Sequence, residues 1–93
     1  MDHYIDILLL PDPEFPPPIL MSALFSKFHK ALCDLHATGI GVNFPRYEQN
    51  LGDLMRIHGN FKILVKLQDL NWIGPMMGYC NVGKILPVPS KVK

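Results

Sequence analysis

The chain is poor in the features that mark specialised protein classes. Its two cysteines, Cys33 and Cys80, are too few for a disulfide scaffold and lack CxxC spacing, so both read as small apolar fillers in a reducing compartment. No excess of positive charge exists. Nine Lys plus Arg stand against eight Asp plus Glu, for a formal charge of +1. A free-standing nucleic-acid binder built on a basic stripe is thereby disfavoured. Long apolar runs are missing as well. The Leu8-Leu9-Leu10 run is far below a membrane span, follows Asp6 and has no basic start, so neither a membrane segment nor a secretory signal is expected. No HxxxH or HExxH pair occurs; His3, His36 and His58 read as surface histidines, and neither metal nor cofactor is expected.

What is present suits one small globule. Of the 93 residues 48% are hydrophobic and 18% charged, enough to bury a core and too apolar for a disordered chain. A single domain over residues 1–88 is expected, with 89–93 as a loose tail. Tyr4 to Leu10 alternates and then becomes apolar on both sides, which predicts a central strand stopping at Pro11. Four prolines between Pro11 and Pro17 exclude regular structure, and Pro17-Pro18 suits the first turn of a helix. Leu20, Leu24, Phe28, Ala31 and Leu35 then recur at helical spacing, predicting a helix to about Ala37 closed by Thr38-Gly39. Ile40–Phe44 and Leu54–His58 read as strands, Gly59-Asn60 as a turn and N-cap, and Phe61–Leu70 as a second helix. Asn71–Pro75 breaks that helix, and Tyr79–Val88 reads as a last strand interrupted at Gly83. The order β-α-β-β-α-β predicts an α+β, ferredoxin-like domain, a four-stranded antiparallel sheet with two helices on one face.

On the first helix Ser22, Ser26, His29, Cys33 and His36 form one polar stripe opposite the Leu20/Leu24/Phe28 face. An accessible imidazole there is a general-base candidate near neutral pH, although spacing alone describes only a solvated helix histidine. Leu54–His58 lacks the aromatic motif of an RNA-recognition sheet and reads as an ordinary strand. Most aromatics read as core. Met21, Met76, Met77 and Tyr79 exceed what so small a globule readily hides, and Met76, Met77 and Tyr79 are candidate partner contacts.

Several stretches carry a resemblance: Met1-Asp-His-Tyr-Ile-Asp-Ile through Pro11-Asp-Pro-Glu-Phe-Pro, Met21-Ser-Ala-Leu-Phe-Ser-Lys-Phe-His29, Ile40-Gly-Val-Asn-Phe-Pro45, and Arg56-Ile-His58. Together they resemble the first half of the type I-F CRISPR repeat-processing endoribonuclease, the subtype F form of CRISPR-associated protein 6. The resemblance implies that His29 matches the catalytic histidine, which takes a ribose 2′-hydroxyl proton and yields a 2′,3′-cyclic end without metal. It also implies that a further serine and tyrosine, and an arginine-rich helix for the repeat hairpin, belong to a second half with no counterpart before Lys93. Leu8 and Leu10 stand where the family's pattern carries arginines.

The expectation drawn from this is a truncated mimic in the bacterial cytoplasm. It would bind a subunit of the type I-F surveillance complex, its backbone protein first of all, and inhibit CRISPR immunity, with no RNA cleavage of its own and weak contact at most with the crRNA repeat hairpin. The alternative is a metal-independent repeat endoribonuclease completed by a separate C-terminal chain.

Overall fold

Strand β1, His3–Leu9, lies at the centre of the sheet because it can be buried on one face along its whole length. Its odd positions Ile5, Ile7 and Leu9 are buried, whereas Tyr4, Asp6 and Leu8 are only half-buried. In the computed structural model, which describes residues 2–47 and 52–89, β1 is followed by helix α1 (Pro17–Leu35), strands β2 (Gly41–Asn43) and β3 (Leu54–Gly59), and helix α2 (Phe61–Asp69). A 3₁₀ turn over Gly74–Tyr79 then leads into β4 (Cys80–Val82) and β5 (Leu86–Pro87). The pairings are all antiparallel, in the order β2-β3-β1-β4, with β5 also on β1. This is the α+β, ferredoxin-like arrangement expected from the element order. The last strand is divided, as Gly83 implied. Gly83 N–H donates to the Asp6 carbonyl, and the chain rejoins β1 at Leu86–Pro87.

Both helices cover the face carrying Ile5, Ile7, Met55 and Ile57. Helix α1 buries Leu20, Met21, Leu24, Phe28 and Ala31, and α2 buries Leu64 and Leu67. Asn60 caps α2 by accepting from the Ile63 N–H at 2.8 Å. Gly59 lets α2 sit directly against the end of β3: a Cβ there would lie 2.9 Å from the Ile63 side chain. Beyond α2 the indole of Trp72 packs on Phe28, ring centres 5.6 Å apart, and donates to Gln68 Oε1.

Three expectations need correction. Helix α1 ends at Leu35, where His36 takes the left-handed conformation (φ 51°) and the His36 and Ala37 N–H groups donate to the Cys33 and Leu32 carbonyls. Gly39 also has positive φ but stands beyond that cap. Met21 is fully buried, lying with Leu24 and Phe28 on the core side of α1. Met76 is buried too, because the 3₁₀ turn folds it inward. Residues 90–93 of the expected tail lie outside the described residues, while Val88 is tied to the domain by its N–H donating to the Asp2 carbonyl. No helix among the described residues is long and apolar enough to cross a membrane.

Candidate functional site

Helix α1 presents His29 to solvent. Ser22, Ser26, His29, Cys33 and His36 are all exposed, as the helical spacing required. His29 makes no hydrogen bond or ion pair with the described residues, so its ring nitrogens are available. One turn earlier Phe25 is 38% exposed and packs against Phe28 and Phe44, with ring centres 6.4 and 6.1 Å away. An accessible imidazole beside an aromatic ledge can accept a proton from a substrate held against it. It has no third group among the described residues to orient it. A shallow groove takes Lys27, Lys30 and Asp34 from α1 and Trp72 from the loop after α2; His29 is not among its residues.

The two cysteines separate. Cys80 is a core residue whose thiol is pushed up from its ordinary value by burial, as suits a filler; Cys33 is exposed on the stripe. Of the candidate partner contacts, Met77 is 51% exposed and Tyr79 is half-buried against Phe15, whereas Met76 belongs to the core and is unavailable. Among the described residues no three of His, Cys, Asp and Glu converge as a metal cluster would require.

A second constellation occupies the sheet face turned away from the helices. Asp6 and Arg56 are cross-strand partners, and the guanidinium grips the carboxylate with both ends, Nε to Oδ1 at 2.7 Å and an Nη to Oδ2 at 3.0 Å. The same guanidinium lies 5.0 Å from the centre of the Tyr4 ring. Its contact with Asp6 raises the Arg56 pKa further. Tyr4 is paired in register with His58, the rings 6.5 Å apart, and His58 Nε2 meets Asn43 Oδ1 at 2.7 Å. Partial burial, then the charge of Arg56, holds the His58 imidazole below its ordinary value. His58 is thus half-buried and partnered, where a surface histidine is expected from the sequence. The signal for more was the alternation itself: Tyr4 and Asp6 on one strand, Arg56 and His58 on the other, are the polar positions between buried aliphatic ones.

The family model for the CRISPR-associated protein Cas_Csy4 matches residues 4–93. The chain belongs to the Csy4 family. A CRISPR-associated endonuclease Cas6/Csy4 of Escherichia coli (strain UTI89 / UPEC) is 40% identical to it over 90 residues, covering 97% of this chain and 49% of the relative. One of the same description from Pseudomonas aeruginosa (strain UCBPP-PA14) is 42% identical over 92 residues, covering 96% of this chain and 49% of the relative. The chain thus spans about half the length of these Csy4 relatives.

Proposed function

We propose that this domain supplies the general base of a metal-independent CRISPR repeat endoribonuclease and cuts only together with groups equivalent to the second half of its relatives. The observation carrying this is His29, accessible and unpaired among the described residues on the helix that stands in the matching half. Neutral His29 takes the proton of a ribose 2′-hydroxyl. The 2′-oxygen then bonds to the adjacent phosphorus, and the bond to the 5′-oxygen breaks. A 2′,3′-cyclic phosphate remains on one fragment, and the departing oxygen becomes a 5′-hydroxyl by taking a proton. Helix α1 carries no arginine and only Lys27 and Lys30 near His29, the latter engaged by Asp34, so further cations are needed to meet the negative charge that develops on the phosphate. Without them the base also lacks the positioning that makes proton removal productive.

A second reading keeps the surface and drops the chemistry: the domain occupies a relative's place on a subunit of the CRISPR surveillance complex and inhibits immunity. The exposure of Ile19, Phe61 and Met77, each more than half accessible, favours it. One experiment separates the two. The chain and the separately expressed second half of the E. coli relative are mixed with labelled repeat RNA in a chelator. Cleavage that needs both pieces and disappears in His29→Ala supports the enzyme. No cleavage by the mixture, with a tagged chain recovering a backbone subunit and displacing the full-length relative, overturns it in favour of the inhibitor.

A further inference from the structure

The open sheet face remains unexplained by His29, and its geometry points to a binding platform for the unpaired bases of single-stranded RNA. Both helices lie on the opposite face, and Tyr4, Asp6, Arg56 and His58 are half-buried on this one. These residues sit on the two central strands, with Tyr4 directly across from His58 and Asp6 directly across from Arg56. Two aromatic rings and one planar guanidinium therefore cluster at the middle of a sheet, the guanidinium over the Tyr4 ring and the His58 ring 6.5 Å from it. Arg56 is fixed by its two-ended grip on Asp6, over the Tyr4 ring, and the side chains of both members of that pair remain 34% exposed. His58 is oriented by Asn43 and paired across from Gly41, which places no side chain beside it.

A base has an extended π face and stacks on tyrosine, histidine and guanidinium planes without regard to sequence. The platform suits that chemistry better than it suits a protein partner. Its centre holds a carboxylate and a histidine–asparagine hydrogen bond, whereas carboxylates such as Asp6 are depleted in protein interfaces. It also suits bases better than phosphates, because Asp6 already neutralises Arg56. Affinity accordingly comes from stacking with little from counterion release, and for a chain of net charge +1 it falls at the weak end, a Kd on the order of 10⁻⁴ M.

The test is a titration of the ¹⁵N-labelled 93-residue chain with single-stranded hexauridylate, followed by amide and aromatic shifts. The expected result is a saturable shift centred on Tyr4, Asp6, Arg56 and His58, with upfield movement of the Tyr4 or His58 ring protons, and little response to a blunt RNA duplex. Tyr4→Leu, which keeps bulk and apolarity, and Arg56→Lys, which keeps charge and loses the plane, should each weaken binding roughly five- to tenfold. The readout is the shift at Tyr4, Asp6, Arg56 and His58 themselves, so failure of the nuclease reading leaves this result in place. Equal shifts with inorganic polyphosphate, undiminished binding by Arg56→Lys, or no shift on this face at millimolar oligonucleotide would each overturn the platform. So would protection of these amides by the second half of the E. coli relative with no response to RNA, which would make the face a protein contact.

Discussion

On the helix side of strands β1 and β3 stand Ile5, Ile7, Met55 and Ile57, all fully buried; on the other side of the same two strands stand Tyr4, Asp6, Arg56 and His58. One backbone thus serves two chemistries, separated only by the alternation of side chains. The inner set is interchangeable in kind: any aliphatic side chains of similar volume would exclude water equally well. The outer set is not, since a two-ended guanidinium–carboxylate contact and a ring pair depend on which residue faces which. Stability is therefore concentrated on one face and specificity on the other.

The sharpest way to break this contrast is to truncate the inner face. Ile57→Ala removes a fully buried side chain between sheet and helices, and should cost about 2–5 kcal/mol, a large part of what so small a domain has. Urea unfolding followed by circular dichroism checks it, and a loss below about 1 kcal/mol would show that the inner face is not the core of the fold.

Arg56→Ala on the outer face should cost less, about 1–2 kcal/mol, because water reaches both partners and replaces part of the lost contact. A double-mutant cycle with Asp6→Ala isolates the pair, and a coupling indistinguishable from zero would mean that the contact contributes nothing to stability.

A smaller effect is expected from pH. With the folded pKa of His58 depressed, the unfolded chain takes up this proton first as pH falls. The stabilisation from this group is fully present above about pH 6.5, the ordinary histidine value, and is lost as pH drops from there towards the depressed value. His58→Gln should flatten that slope. Parallel stability–pH curves for the two proteins would show that His58 titrates normally.

The smallest effect belongs to neither face. His29→Ala should leave stability within about 0.5 kcal/mol, since the exposed ring contacts no described polar partner. A larger loss would make His29 a structural residue and undercut its role as a base.

Much of the inner face was legible from the residues alone. Alternation in β1 and β3, the spacing of Leu20, Leu24 and Phe28, and the breaks at Pro11 and Gly83 each reflect a local preference that the packed domain respects. Met21 was legible too, since it stands three and seven positions before Leu24 and Phe28 on the same face of the helix. Met76 was not: its burial depends on a 3₁₀ turn that only the packed chain defines. The outer face needed register. Nothing local tells Tyr4 that His58 lies opposite, 54 positions on, or distinguishes that pairing from a slip by two residues. For His29 the helix position was readable, but its role came from resemblance, because an exposed imidazole looks the same whether or not a substrate visits it.

The hydrogen bond between Val88 and Asp2 has a mechanical consequence. It brings the two ends of the described chain to one corner of the sheet, with β5 running back along the start of β1. Tension applied at those ends meets the bonds of this ladder one after another, as in unzipping, and never loads them in parallel. The corner at Asp2 and Val88 is thus where a pulling protease or unfoldase opens the domain, peeling β5 from β1 before the helices lose their hold on the sheet.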